Sequence, residues 1–372
     1  MNHAPPSTLL LILGAGASYD SLPASVLNGI SPNERKELQP PLARDLFADR
    51  HSFGEVLDRF PQCAALIGDL RRKLEKGAVV EAELEALREE AASYPPRHRE
   101  LAAVRFYLQA VLWKCGTRWR DLSHGVTNYA DLLRRIDKWR HEAQSVVCVA
   151  SLNYDLLFDD AASGTLRMNL NSIPGFVADE RYKYVKLHGS VNWGRRVPSP
   201  DGAHHPNGDD ARRLLIDNAQ TLAEMQDQWV LRSPGEAPSD SGPPTILFPA
   251  IAIPTATKSD FVCPDWHVEA LRNCLPRVDR ILVVGWRGAD RDLLDLLGAI
   301  PGKATPVLVV GAREDGTRET VANLASTDLA EDVMMRFTGG FSGFLETEEL
   351  ESFLTSSVAN LRARYSSLHG SA

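Results

Sequence analysis

The sequence lacks the features that mark secreted, membrane and zinc-ribbon proteins. Its five cysteines are scattered and none forms a C-x-x-C pair, so no zinc ribbon can be drawn and a reducing cytoplasm is expected. No apolar run approaches the roughly 20 residues that span a bilayer. No cationic segment precedes the short apolar run near the N-terminus, which excludes a typical signal peptide. We therefore expect a cytoplasmic protein without membrane contact and without a metal site.

The chain also lacks an excess of positive charge and a nucleotide-driven motor. Its 372 residues carry a net charge of −8, which argues against direct nucleic-acid binding. Arg134, Arg135, Lys138 and Arg140 form a basic cluster, and a solvated helix face is the favoured interpretation. No Walker-type glycine-lysine motif occurs, so an ATPase motor is not expected in this chain.

A buried strand followed by a glycine turn opens the readable part of the sequence. Residues 9–13 are uninterruptedly apolar, as in a parallel strand covered on both faces. The turn residues are Gly14, Ala15, Gly16, Ala17 and Ser18. A helix that begins near Ser18 would point its free N–H groups at a phosphate. The third fingerprint position is Tyr19 rather than glycine, so an ordinary strand-to-helix connection remains the alternative.

Two later strands also end in polar residues. Residues 146–150 lead into Asn153 and Asp155, and residues 184–187 lead into His188. Ligands of open α/β sheets bind beyond the carboxyl ends of strands, so these side chains lie where chemistry is expected. The alternatives are a helix cap for Asn153 or Asp155 and a structural role for His188.

Further strands extend the same pattern. Residues 280–284 precede Gly285, Trp286 and Asp290, and residues 306–310 precede Gly311. Cys148 lies inside a strand and is expected in the core. About five strands separated by helices predict an α/β fold with a doubly wound, Rossmann-like parallel sheet.

The segments between the strands are predicted from their periodicity and composition. Residues 43–143 read as a helical insertion, and residues 346–365 as one terminal amphipathic helix. Loops are expected at 20–39, 198–210 and 233–244, with a short helix over 211–229.

Four short motifs occur in one order, each after a strand: GAGAS at 14–18, LNYD at 152–155, LHGS at 187–190 and VVGW with a later aspartate at 283–290. Together they resemble the SIR2-like domains of the sirtuin superfamily that serve bacterial antiphage defence. The resemblance spans roughly residues 8–312. It implies a Rossmann domain at 1–42 and 144–345, the insertion at 43–143, and a C-terminal helix within 346–372.

The resemblance also implies roles for individual residues, with NAD⁺ as the substrate. The turn at 14–18 would hold the pyrophosphate. Asn153 would place a water beside the nicotinamide ribose, Asp155 would support it, and His188 would be the base. Gly285 and its neighbours Trp286, Asp290 and Gly311 would line the adenosine end.

The sequence departs from the protein-deacylase sirtuins because it lacks their four-cysteine zinc module. A polar loop is expected after Trp193 in its place, and no zinc is expected. This departure favours water as the acceptor and an NAD⁺ hydrolase that depletes NAD⁺ in abortive infection. The alternatives are a protein deacylase or ADP-ribosyltransferase, and a non-catalytic NAD⁺ or ADP-ribose sensor.

The resemblance extends to partners. It implies a homo-oligomer, a HerA-type ATPase as partner, or alternatively a short Argonaute. The helical insertion is a candidate for control of the pocket or for assembly.

Overall fold

The centre of the molecule is a parallel β-sheet. The computed structural model describes residues 7–205, 208–221, 228–233, 245–254, 261–300, 305–327, 329–330 and 333–369. These residues form nine strands: β1 (Thr8–Leu13), β2 (Val146–Ser151), β3 (Tyr182–Lys186), β4 (Gly189–Pro198), β5 (Trp229–Leu231), β6 (Thr245–Ile251), β7 (Val278–Val284), β8 (Val307–Val310) and β9 (Met334–Phe337).

Six of these strands form the parallel sheet in the order β3-β2-β1-β7-β8-β9. All six residues of β1 are buried, as the apolar run predicts for a strand covered on both faces. In the register, Leu10 lies opposite Cys148 of β2 and Ile281 of β7. Cys148 is fully buried, so its predicted place in the core is confirmed. The doubly wound, Rossmann-like α/β fold is confirmed as well.

The strand order creates a crevice between β1 and β7. The chain runs from β1 outward through β2 to β3, and later returns to β7 on the other side of β1. Loops that leave β1 and β7 therefore turn in opposite directions, and this reversal opens a cleft at the carboxyl edge. The glycine turn after β1 lies at this position.

Helices flank the sheet and form a separate layer beside it. They are α1 (Ala15–Tyr19), α2 (Ala24–Leu27), α3 (Pro32–Leu38), α4 (His51–Leu57), α5 (Pro61–Glu75), α6 (Val80–Glu90), α7 (Pro96–Ser123), α8 (Asn128–Ala143), α9 (Leu157–Leu166), α10 (Gly175–Ala178), α11 (Gly208–Asp217), α12 (Asp265–Cys274), α13 (Arg291–Leu297), α14 (Glu314–Ala325), α15 (Gly340–Leu345), α16 (Glu349–Thr355) and α17 (Val358–His369). Short 3₁₀ turns occur at Ala43–Asp45 and Leu275–Arg277.

Two hydrophobic clusters organise the packing. One surrounds the parallel sheet and includes Tyr129 and Leu133 of α8. The other joins α4–α7 to β4, β6 and α11, with Phe106 of α7 among its members. Helix α7 joins both clusters, because its Trp119 packs with the sheet. The domain boundaries at 42/43, 143/144 and 345/346 stay a prediction.

The polar loop expected after Trp193 is wrong. Strand β4 continues through Pro198 and pairs antiparallel with β5 and β6. Arg195 gives this segment the composition of a loop. In the structure its guanidinium packs against the sheet, 4.4 Å from the ring centre of Trp229. Long cationic side chains cover aromatic surface while keeping their charge near water, and composition alone does not reveal this.

Three other predictions from composition are corrected. The loop expected over 20–39 contains α2 and α3, because Ser31 accepts a hydrogen bond from Glu34 N and Pro32 starts α3, a typical helix start. The single terminal helix over 346–365 is two helices, α16 and α17. The helix expected over 211–229 ends at Asp217, and Trp229 begins β5. The loop expected over 233–244 falls, from residue 234 on, outside the described residues.

The basic cluster on α8 is only half solvated. Arg134 and Lys138 are exposed, but the Arg135 guanidinium donates to Leu345 O and pairs with Glu351 of α16. Arg140 is buried and donates to Asp137 of the same helix at 3.0 Å and to the Tyr182 hydroxyl of β3 at 3.2 Å. These arginines therefore fasten α8 to its neighbours. None of the helices in the described ranges has both the length and the apolarity that a bilayer crossing requires.

The glycine turns after β1 and β7 touch backbone to backbone. Gly14 N donates to Val284 O at 3.0 Å, and Gly16 N donates to Gly285 O at 2.9 Å. A Cβ on Gly16 would lie 2.9 Å from both the Cα and the carbonyl oxygen of Gly285. Gly285 itself has a φ of +67°, a conformation that glycine adopts without strain. Only glycine at these positions lets the two turns approach this closely.

We predict that Gly16→Ala destabilises the protein by about 1 to 3 kcal/mol, because the new methyl group meets backbone that cannot move aside. The matched control is Gly68→Ala in α5, where a Cβ meets nothing within 4 Å. That change should stabilise the protein by about 0.5 to 1 kcal/mol through helix propensity. Urea unfolding of both variants measures the difference, and equal effects would contradict the packing argument.

Candidate functional site

Asn153 lies in a buried hydroxyl network beneath the glycine turn. Its amide nitrogen donates to Ser18 Oγ at 3.1 Å and to Tyr129 OH at 3.2 Å. Ser18 and Tyr129 are themselves 2.9 Å apart. The network joins the loop after β2 to α1 and α8, and it holds the Asn153 side chain in one orientation.

The Asn153 carbonyl oxygen carries the clearest chemical signal in the site. Asn153 is only 5% exposed, and its Oδ1 has no hydrogen-bond partner among the described residues. A buried acceptor without a partner costs about 1 to 3 kcal/mol, and such groups are rare in folded proteins. This oxygen is therefore available to a hydrogen-bond donor from a water molecule or a ligand hydroxyl.

Asp155 has a structural contact and a perturbed charge. Its Oδ1 accepts from Leu157 N, the first residue of α9, at 3.0 Å, whereas the N-cap position of this helix is Leu156. Asp155 therefore supports the turn before the helix and is not its N-cap residue. Burial raises the pKa of the Asp155 carboxyl, whereas the nearby Lys186 ammonium and the Ser18 hydroxyl lower it in part. A carboxylate that supports the start of a helix and also faces the polar network can serve both fold and site.

Lys186, at the end of β3, is fully buried below the site. Its Nζ donates to Asp155 O at 2.6 Å and to Asp159 Oδ2 at 3.0 Å. The Tyr184 hydroxyl donates to the same Asp159 oxygen at 2.9 Å. The ammonium thus compensates the negative charge of the two aspartates in a region closed to water. Lys186 is not among the predicted site residues, although a lysine within an apolar strand is itself a signal of a buried partner.

His188 forms a pair with Asp290 across the crevice. His188 Nε2 lies 2.7 Å from Asp290 Oδ2, and the two side chains are 16% and 6% exposed. Asp290 Oδ1 also accepts from Leu293 N at 2.8 Å, as the N-cap of α13. The ring of Tyr154, next to Asn153, stacks on His188 with the ring centres 6.0 Å apart. A histidine oriented by a fixed carboxylate is suited to proton transfer.

The remaining predicted residues lie at the same edge of the sheet and connect its turns. Gly285 N donates to Val310 O at 3.0 Å, and Gly311 N donates to Phe337 O at 2.9 Å. The Trp286 carbonyl accepts from the Thr320 hydroxyl at 2.9 Å. The structure thus brings the loops after β1, β2, β3, β7 and β8 together. The binding of an adenosine end by Gly285, Trp286, Asp290 and Gly311 stays a prediction, as do the pyrophosphate contact of residues 14–18 and the roles of Asn153, Asp155 and His188.

The described part of the chain contains no group of three or more potential metal-ligating side chains. The five cysteines are unpaired and buried. The polar groups that the structure does bring together are an amide, a histidine–carboxylate pair and hydroxyls.

Comparison with known proteins gives structural likenesses only. No protein-family profile matches the chain, and no curated protein matches its sequence. Among solved structures, a Sir2 homologue in complex with NAD is similar with 11% identity and a TM-score of 0.41, over 97% of this chain and 91% of that chain. A mutant Sir2 homologue in complex with ADP-ribose has 11% identity and a TM-score of 0.41, over 97% and 94%. A triple mutant in complex with 2′-O-acetyl ADP-ribose has 12% identity and a TM-score of 0.40, over the same shares.

We predict that Lys186→Met destabilises the protein by about 3 to 5 kcal/mol at pH 7.5, since it leaves Asp155 and Asp159 buried without their cation. Burial already raises the pKa of the Asp155 carboxyl, and without the ammonium this pKa in the folded state lies further above that of the unfolded state. The folded state then takes up protons as the pH falls, so the loss should shrink towards pH 5.

The matched control for this prediction is Lys183→Met on the same strand, where Lys183 Nζ donates only to a carbonyl, Val177 O. Lys183→Met should lower the free energy of unfolding by less than Lys186→Met does. Its effect should not shrink towards pH 5. Urea unfolding at pH 7.5 and pH 5 distinguishes the two. A loss below 1 kcal/mol for Lys186→Met, or one equal at both pH values, would contradict the role of the ammonium.

Proposed function

We propose that this protein is an NAD⁺ hydrolase that cleaves NAD⁺ to ADP-ribose and nicotinamide. The observation that carries the proposal is the unpartnered Asn153 Oδ1, buried at the sheet edge where the His188–Asp290 pair also lies. An oriented acceptor for a water molecule and a base for its proton are the two groups that hydrolysis of a glycosidic bond to nicotinamide requires. The order of the four sequence motifs supports NAD⁺ as the substrate.

The proposed reaction needs little acid catalysis. Nicotinamide leaves the ribose with the bonding electron pair and becomes neutral, so no proton has to be supplied to it. Positive charge develops on the ribose as this bond breaks. The water held by Asn153 Oδ1 forms the new bond to the ribose carbon, and its proton passes to His188. The Asp290 carboxylate stabilises the protonated imidazole and holds its orientation.

Water is the acceptor in this proposal, because we propose that the segment after His188 forms no cleft for an acylated lysine. The segment after His188 forms β4, which is closed by pairing with β5 and β6. A protein deacylase or an ADP-ribosyltransferase would use the same polar groups with another acceptor. A non-catalytic sensor would not need the His188–Asp290 pair, because binding alone requires no base.

The biological setting is part of the same proposal. Depletion of NAD⁺ would arrest an infected cell, which makes the protein a candidate effector of abortive infection in antiphage defence. Such an activity has to be controlled, so we propose a homo-oligomer with a HerA-type ATPase, or alternatively a short Argonaute, as its partner. The helical segment 43–143 is the candidate for this control.

We predict that Asn153→Ala and His188→Ala each lower nicotinamide release from NAD⁺ by at least about 100-fold, the order expected for loss of a positioned catalytic group. The controls Asn171→Ala and His141→Ala alter exposed residues of the same types and should keep full activity. Release is followed by liquid chromatography, with circular dichroism to verify folding. Near-normal turnover by a folded Asn153→Ala or His188→Ala protein would remove that residue from the mechanism.

Asp290 gives a sharper test, because one substitution separates its two contacts. We predict that Asp290→Asn keeps the cap on Leu293 N, since asparagine caps helices as well as aspartate does. It removes the charge facing His188, so kcat should fall at least about tenfold while KM changes less than about threefold. Asp295→Asn, on the exposed face of α13, is the matched control. An unchanged kcat at unchanged stability would show that the pair is only structural.

A further inference from the structure

A cavity lies beside β4 and α7 and is lined by residues that the candidate site does not use. It has a volume of about 560 Å³ and is enclosed by α4, α7, α11, β4 and β6. Trp193 and Gly194 line it, whereas His188 precedes β4, about 16 Å away along an extended strand. None of the candidate catalytic residues contributes to its lining. The cavity is thus separate from the proposed NAD⁺-cleaving site.

The described walls of this cavity are strongly cationic. One acidic side chain, Glu55, faces five cationic ones: Arg59, Lys114, Arg118, Arg212 and Arg232. Glu55 pairs with Lys114, and the neighbouring Asp209 pairs with Arg59 and Arg212. Arg118 and Arg232 form no salt bridge within the described ranges, although the Lys114 ammonium and, more weakly, the Arg118 guanidinium lower the pKa of the Glu55 carboxyl. In a chain whose net charge is −8, such a concentration of positive charge inside a cavity favours an anionic ligand.

Arg212 shows how strongly this charge is concentrated. Burial, together with the like charges of Arg59 and Arg213, lowers the pKa of the Arg212 guanidinium to about 10. This happens although Asp209 pairs with it, because one carboxylate shared between two arginines does not compensate both. The guanidinium also lies 5.1 Å from the ring centre of Phe60. A bound anion would relieve the repulsion.

One wall of the cavity is aromatic. Phe106 and Phe248 are each 6% exposed and pack edge to face with their ring centres 5.6 Å apart, and the Arg105 guanidinium lies 5.1 Å from the Phe248 ring centre. Trp113 also lines the cavity and is only partly buried, so its ring offers the most surface for stacking. Flat heterocycles stack on such rings, and guanidinium groups bind phosphate oxygens in pairs. The volume lies within the range of small-molecule sites, which is about 300 to 1,000 Å³.

We propose that this cavity binds a phosphate-bearing nucleotide, with its base against the aromatic wall and its phosphates against Arg118 and Arg232. This site goes beyond the proposed function and does not depend on it.

Two elements that border the cavity, α7 and β4, also contact the loop that carries Asn153 and Asp155. Gln109, which lines the cavity, donates to Val191 O at 2.9 Å. Val191 N in turn donates to Tyr154 O at 2.9 Å. A Cβ on Gly116 of α7 would lie 3.7 Å from the Asp155 Cβ. A ligand in the cavity therefore lies against the helix and the strand that touch the loop of Asn153 and Asp155.

The test uses the full chain and two probes, ADP and inorganic pyrophosphate. Isothermal titration calorimetry compares the wild type, the variant Arg118→Gln with Arg232→Gln, and a control with Arg134→Gln and Arg313→Gln. The side chains of the control arginines are 63% and 66% exposed. Their substitution removes the same amount of positive charge as the cavity variant does. We expect at least tenfold weaker ADP binding in the cavity variant, and binding within twofold of the wild type in the control.

Photolabelling with 8-azido-ADP locates the probe, which distinguishes this cavity from the crevice between β1 and β7. We expect labelled peptides that contain residues 106–113 or 246–249. Labelling confined to residues 14–18 or 285–290 would overturn the proposal, and so would absence of ADP binding by the wild type. Pyrophosphate binding as tight as that of ADP would overturn the role of the aromatic wall. Each of these outcomes leaves the test of Asn153 and His188 unaffected.

Discussion

The close backbone contact between the turns after β1 and β7 is the constraint on which the candidate site depends. Gly16 N donates to Gly285 O, and a Cβ on either glycine would collide with the opposite backbone. This contact fixes the start of α1 against the loop that leads to Asp290. Ser18 then reaches the Asn153 amide, and Asp290 reaches His188. Residues from four strand ends are thereby held at one edge of the sheet.

Charge in the buried region is balanced separately from the proposed chemistry. Lys186 compensates part of the charge of Asp155 and Asp159, so these buried carboxylates destabilise the fold less than they would without a cation. The oxygen of Asn153 is left without a partner in the part of the chain that the structure describes, which makes it an acceptor that a substrate or water can satisfy. Asp159 Oδ1 also lacks a partner among the described residues, but the other oxygen of this carboxylate accepts from Lys186 and Tyr184. The buried ion pair thus serves the structure, and the Asn153 oxygen is the neutral acceptor that remains for a ligand.

The sheet could be predicted from sequence because its strands are apolar runs that end in glycine or polar turns. The position of Asn153 and His188 at strand ends followed from the same pattern. The pair of His188 with Asp290 could not be predicted, because it joins residues 102 positions apart across a topology that periodicity does not encode. The end of β4 was missed because Arg195 resembles a loop residue until its contact with the Trp229 ring is known. Strand β5 was missed because a helix was expected up to its first residue, Trp229. Tyr129 and Lys186 carried no motif and are recognised only through their buried partners.

The measurement that tests the central claim most directly is NAD⁺ turnover by the purified full chain, with and without an acetyl-lysine peptide. Nicotinamide, ADP-ribose and acetylated ADP-ribose are separated by liquid chromatography. The account predicts equal amounts of nicotinamide and free ADP-ribose at a rate that the peptide does not change. Nicotinamide release only in the presence of peptide, with acetylated ADP-ribose as the product, would contradict hydrolysis and identify a deacylase.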